Sequence, residues 1–191
     1  MKIYKYKDYD EYVDWQIKTN KEKKGWVYVK SGTIDQIVKD RIFAATILCH
    51  GTRAAGEQSY FLKHFPNAKI IGTEISDNAT EYPMTIQHDF NVQKPEWINK
   101  FDIVYSNAID HSIDPKATLI TWRNQLNETG RLYLEYSEMQ SIPGGNRNDP
   151  LDATNEEIEN LLLEIDLNIV GKITKSVQKK GTVFICEKKN D

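Results

Sequence analysis

The chain has 191 residues, enough for one domain that buries most of the surface its unfolded form exposes. With 39% hydrophobic and 28% charged residues it is neither a disordered chain nor a membrane protein by composition, and its net charge of -3 argues against a protein that lives on phosphate backbones. The stretch 1–12 alternates lysine, aspartate and tyrosine without an apolar core, and nowhere do about 18 apolar residues run together, so neither a secretory leader nor a membrane span is expected.

Two helices are expected first. Tyr9, Tyr12, Val13 and Ile17 fall at helical spacing, and Ile34, Ile37, Val38 and Ile42 do so after a Ser31-Gly32-Thr33 start signal. The lysines of 18–24 read as a solvated helix end rather than a nucleic-acid patch. Trp15, Trp26 and Tyr28 read as packing against the sheet, with closure over an acceptor as the alternative. From Ala45 onward strand and helix signals alternate: strands over 45–49, 68–72, 84–87, 101–105 and 131–136, with helices near 57–64, 115–126 and 154–165. The chain closes with strands over 168–176 and 182–187, whose short connection makes them antiparallel neighbours.

This order predicts an α/β fold: a three-layer α/β/α sandwich around a seven-stranded, mostly parallel sheet with one antiparallel strand from a C-terminal hairpin. A single domain over 1–191 is expected, with 1–44 as a helical extension to a core of 45–191. The polar stretch 137–153, containing Pro143-Gly144-Gly145-Asn146, reads as a lid or substrate loop. Cys49 and Cys186 lie in apolar runs as small hydrophobes, which suits a reducing cytoplasm and gives no support to a structural zinc site.

In an open parallel sheet, ligands bind beyond the carboxyl ends of the strands, where strand order reverses. After the first strand of the sheet, His50-Gly51-Thr52-Arg53-Ala54-Ala55-Gly56-Glu57 supplies small residues that let the backbone turn and approach a ligand. After the next, Gly72-Thr73-Glu74-Ile75-Ser76 places an acid about 20 positions beyond Gly51, the spacing of the carboxylate that accepts ribose hydroxyls in dinucleotide folds. His88-Asp89-Phe90 then offers a second carboxylate and an aromatic edge for an adenine amino group and ring. Ser106-Asn107-Ala108-Ile109-Asp110-His111 supplies polar groups where the reacting end should lie. Singly, each has a bland alternative, such as a turn, a helix cap or an Asx turn. Together they describe a nucleoside crevice.

The segments Ile47 to Glu57, Ile70 to Ser76, Gln87 to Asn91, Phe101 to His111 and Leu126 to Glu138 resemble the successive motifs of class I S-adenosylmethionine methyltransferases. The resemblance runs over about 45–187 and implies a Rossmann-like fold. It also implies S-adenosylmethionine as cofactor, and methyl transfer to a small-molecule acceptor, a sugar or metabolite hydroxyl or amine, with no nucleic acid or membrane partner. By the resemblance, the loop at Gly51 passes beneath the methionine part, Glu74 binds the ribose and the segment at Asp89 binds adenine. Cofactor contacts are thus expected from Gly51, Thr52, Arg53, Gly56, Glu57, Glu74, Ile75, Asp89, Phe90, Ser106 and Asn107. Arg53 and Ala55 stand where many members carry glycine, and Cys49 where an acid is frequent; a guanidinium at Arg53 could hold the methionine carboxylate in a bidentate fork.

The sulfonium is already a strong electrophile, so alignment and exclusion of water carry most of the catalysis. For a hydroxyl acceptor His111 is the candidate base, with Asp110 beside it to orient the ring. No metal is expected, because His50, His88, Asp89, Asp110 and His111 match no ligand spacing. Two other readings share the pattern: a non-catalytic S-adenosylmethionine-binding module, and a nicotinamide-dependent reductase, whose G-x-G-x-x-G fingerprint is missing here. The acceptor is expected to be chosen by the N-terminal helices and the 137–153 loop.

Overall fold

Apolar, β-branched runs bounded by turn residues build the sheet. The computed structural model describes residues 1–175 and 177–189. In chain order its elements are β1 (Lys2–Ile3), α1 (Tyr9–Glu22), α2 (Ser31–Asp40), β2 (Thr46–His50), α3 (Gly56–His64), β3 (Lys69–Glu74) and β4 (Thr85–Gln87). There follow β5 (Phe101–Ser106), α4 (Pro115–Gln125), β6 (Leu126–Tyr136), β7 (Leu151–Asp152), α5 (Asn155–Glu164), β8 (Leu167–Ile173) and β9 (Thr182–Lys188).

Seven of these strands form one sheet in the order β4-β3-β2-β5-β6-β9-β8. All neighbours are parallel except β9, which runs antiparallel to both β6 and β8, the reversed strand that the short final connection dictates. Side chains alternate across the pleat and fill two apolar layers. On one face Leu48, Val104, Leu132 and Phe184 meet Leu119 and Trp122 of α4 and Ile158 and Leu162 of α5. On the other, Ile47, Ile103, Tyr105 and Tyr133 meet Ile34 and Ile37 of α2 and Phe61 of α3. The architecture is the expected three-layer α/β/α sandwich.

The helices start where capping chemistry allows. Asp8 accepts from the Glu11 amide, Asp114 precedes Pro115 and accepts from Ala117, and Thr154 and Glu157 form a reciprocal capping box. At α2 the start signal marks the right place, but Ser31 is the first helical residue and the cap, Lys30, makes no side-chain bond. β6 begins at Leu126, ahead of the expected 131, because Gly130 lets the strand bulge against β5: a Cβ there would lie 2.5 Å from the Phe101 carbonyl. The expected strand over 168–176 ends at Ile173, and its last residue, Ser176, lies outside the described residues.

One ladder has no counterpart in the sequence reading. β1 pairs antiparallel with β7, Lys2 opposite Asp152 and Ile3 opposite Leu151, and so ties the start of the chain to the end of the 137–153 loop. Two-residue strands carry no periodicity to read. Among the described residues, no helix is long and apolar enough to cross a membrane.

Candidate functional site

The strand order reverses between β2 and β5, and there a cavity of about 250 Å³ opens at the carboxyl ends of the strands. Its floor is made by the turns after β2, β3, β4 and β5; α1, the Trp26–Tyr28 segment and Asp149 of the 137–153 loop cover it.

The turn after β2 sets the shape of the floor. Gly51 has φ +70°, and a Cβ on it would lie 2.5 Å from the Cβ of Ala108, so glycine is required by both backbone and space. Arg53 (φ +37°) and Ala55 (φ +57°) adopt the left-handed backbone as well, so the loop keeps a glycine-like path without glycine at those places. Each costs about 1–2 kcal/mol and is held by its neighbours. The Arg53 amide donates to Glu74 Oε2 at 3.1 Å, and the Ala55 amide to the Thr52 carbonyl at 2.9 Å. Glu74, buried at the tip of β3, also accepts from the Ser76 amide at 3.2 Å through Oε1. Its carboxylate thus bridges two loops through backbone amides alone and keeps lone pairs for a ligand in the cavity it lines.

After β4, Asp89 Oδ1 accepts from the Asn91 amide at 2.8 Å, an Asx turn, while Oδ2 accepts from the Tyr9 hydroxyl of α1 at 2.5 Å. Phe90 lies beside it in the wall. Glu57, in the first turn of α3, is buried with Asn107 Nδ2 at 3.5 Å; desolvation pushes its carboxyl up to about 8. Deeper in, His50 bonds Thr73 Oγ1 at 3.0 Å and Gln125 Oε1 at 2.8 Å and stacks on Trp122. Burial lowers it to about 3, so it is a neutral core histidine.

The turn after β5 carries Asp110 and His111. His111 Nδ1 donates to the Asn148 carbonyl at 2.7 Å, which orients the ring and turns Nε2 toward Asp149 Oδ1 at 3.9 Å. Asp110 Oδ1 is buried without a hydrogen-bond partner, and desolvation raises its carboxyl above the usual range.

Of the residues expected at the site, Gly51, Thr52, Arg53, Glu57, Glu74, Ile75, Asp89, Phe90, Asn107, Asp110 and His111 share this cavity. Gly56 and Ser106 do not line it. Gly56 packs under Val27, where a Cβ would meet Cγ1 at 2.3 Å; the Ser106 hydroxyl turns into the sheet, donating to the His50 carbonyl at 3.2 Å and accepting from the Ala108 amide at 3.1 Å. Both shape the loops instead.

The sequence reading missed most of the cover. Gln16, Thr19 and Asn20 of α1 and Lys23 at its C-terminal cap line the cavity, so the lysine-rich helix end is not simply solvated. Their polar i, i+3, i+4, i+7 spacing was the available signal. Lys21 and Lys24 pair with Asp77 and Glu81. Trp26, 65% exposed, and Tyr28 line the cavity rather than pack on the sheet, and Trp15 donates to Asn148 Oδ1 at 2.8 Å.

No protein-family model matches the sequence, and no curated protein matches it by sequence. Solved structures do match in fold. A Burkholderia thailandensis 1,6-didemethyltoxoflavin N1-methyltransferase, solved with 1,6-didemethyltoxoflavin and S-adenosylhomocysteine, superposes with a TM-score of 0.75 at 14% identity, over 98% of this chain and 93% of that one. The magnesium protoporphyrin IX methyltransferase of Synechocystis PCC 6803, with bound S-adenosylmethionine, gives 0.65 at 14% identity, over 97% and 100%. The fold is that of the S-adenosylmethionine-dependent methyltransferases. A TehB-like methyltransferase of Corynebacterium glutamicum shares this methyltransferase fold at a TM-score of 0.63 and 15% identity, over 90% of this chain and 94% of that one.

Proposed function

We propose that the chain is an enzyme that transfers the methyl group of S-adenosylmethionine to a small-molecule acceptor. One observation carries the reading: the Gly51 turn, Glu74, the Asp89–Phe90 turn and Asn107 converge on a single cavity at the strand switch point of a methyltransferase fold. The cradle suits the cofactor, since a Cβ at Gly51 would fill the approach and Glu74 presents carboxylate lone pairs there. When bound, the sulfonium supplies an electrophilic methyl group.

The residues divide the work. Glu74 accepts from ribose hydroxyls, Asp89 and Phe90 flank the adenine, and Gly51 to Arg53 with Glu57 and Asn107 face the methionine end. Gln16, Thr19, Asn20, Trp26 and Tyr28 close the opposite side, exclude water and seat the acceptor, a sugar or other metabolite. His111 meets the acceptor hydroxyl or amine with its Nε2 lone pair, and Asp110 stands beside it. Stretch 1–44 serves as the cap of a single catalytic domain, and the two free, buried thiols suit a reducing cytoplasm.

Parallel calorimetric titrations with S-adenosylmethionine, S-adenosylhomocysteine and NADH test the reading. The first two should bind one per chain and raise the unfolding midpoint, and NADH should do neither. Binding of NADH alone would transfer the site to a reductase, and binding without methyl transfer to any acceptor would leave only a sensor.

A further inference from the structure

Three possible ligand atoms meet at the acceptor end of the cavity. Asp110, His111 and Asp149 each offer one, all within 4.8 Å of one another, the one such group found among the described residues. Asp110 and His111 come from the turn after β5 and Asp149 from the loop before β7, so tertiary structure, not sequence adjacency, assembles the set.

Two observations point to a ligand. The first is the imidazole. Its Nδ1 donates to the Asn148 carbonyl, and its Nε2 faces the Asp149 carboxylate at 3.9 Å, beyond hydrogen-bond reach. A backbone carbonyl on the far nitrogen is the arrangement that orients metal-binding histidines, and the gap between Nε2 and the carboxylate is one that a shared cation can fill. The second is Asp110 Oδ1, buried with no hydrogen-bond partner, a costly state for a carboxylate oxygen that a bound cation would relieve. Lys23 lines the same cavity and eases the charge on Asp110, yet makes no ion pair with either carboxylate among the described residues.

We propose that Asp110, His111 and Asp149 bind a divalent cation of the manganese or zinc class, which holds the acceptor through a hydroxyl oxygen at its open positions. Ligand atoms on one such ion lie up to about 4.3 Å apart, so small rotations of Asp149, whose side chain is 25% exposed, close the set. One imidazole with two carboxylates suits these ions better than magnesium, which prefers oxygen alone. Three protein ligands leave room for substrate.

The site stands on its own geometry, whereas its role rests on the methyl-transfer reading and changes one part of it: Nε2 coordinates the cation instead of taking the proton. The cation acidifies the bound hydroxyl, whose proton passes to solvent. The oxygen electron pair then forms the new bond to the methyl carbon as the carbon–sulfur bond breaks, its electrons returning to sulfur to leave S-adenosylhomocysteine.

Chelator-treated full-length chain titrated with Mn²⁺, with free ion read by electron paramagnetic resonance, should show one site per chain. Asp149→Asn and Asp110→Asn should each weaken it at least about tenfold. Asp149→Asn changes a partly exposed side chain, so it should leave the unfolding midpoint of the metal-free chain in place. Bound Mn²⁺ should broaden the ring signals of His111 more than those of any other histidine. Absence of a stoichiometric site, an unchanged affinity in Asp149→Asn, or broadening that spares His111 overturns the proposal. S-adenosylhomocysteine titrated into the same samples keeps the two readings apart: an intact Mn²⁺ site without nucleoside binding leaves the cation site standing and removes the methyl-transfer role.

Discussion

The floor and the cover of the cavity are built by different means. The floor is backbone-held: Gly51, Arg53 and Glu74 are fixed by strand ends, left-handed turns and amide bonds within two adjacent loops. The cover is held by side chains from distant parts of the chain, with Trp15, Arg147 and Tyr9 reaching Asn148, Glu11 and Asp89. Backbone scaffolds fix position at little entropic cost, whereas a cover of long polar side chains can open and be re-tuned. The first suits an invariant cofactor and the second a variable acceptor.

The sharpest way to break the floor is Gly51→Ala. Its added Cβ would overlap Ala108 and sit at positive φ, so S-adenosylhomocysteine binding should be lost in calorimetry and stability in urea should fall by about 2 kcal/mol. His111→Ala probes the cover side. Turnover should drop by about 100-fold while nucleoside affinity stays within about twofold, and equal losses in both would place His111 on the cofactor instead. Glu74→Ala should do the reverse, weakening nucleoside binding by about 1–3 kcal/mol; an unchanged titration would remove Glu74 from the ribose.

Glu57 gives a pH signature of the floor. Its carboxyl ionises near 4.5 in the unfolded chain and near 8 when folded, so between those values the native state holds the extra proton. Stability should therefore fall as pH rises from about 5 to 8 and level off above, and Glu57→Gln should flatten that part of the slope in urea titrations. A slope identical in the variant would show that Glu57 is not its source. The smallest effect is expected from Tyr9→Phe, which removes one partly exposed bond to Asp89: about 1 kcal/mol of stability or less, with turnover retained.

What could be read in the sequence divides along the same line. The strands over 45–187, Glu74 and the turn at 106–111 were legible because hydrophobic runs and turn residues act locally. Arg53 and Ala55 break the glycine pattern and left the path of that loop open; the left-handed backbone they adopt is held by the surrounding bonds. Asn148 and Asp149 gave no signal, since their meeting with His111 depends on how the 137–153 loop drapes back over α1. Trp26 was misread because a large aromatic near a sheet is usually buried, whereas here it borders an opening.

Asn148 holds the two ends of one latch. Its side chain takes the Trp15 indole of the N-terminal helix, and its own carbonyl takes the His111 ring. The aim of the imidazole therefore depends on how α1 is seated, through a single asparagine. A change at Trp15, on the far side of the cover, would thus be felt at the ring without touching it.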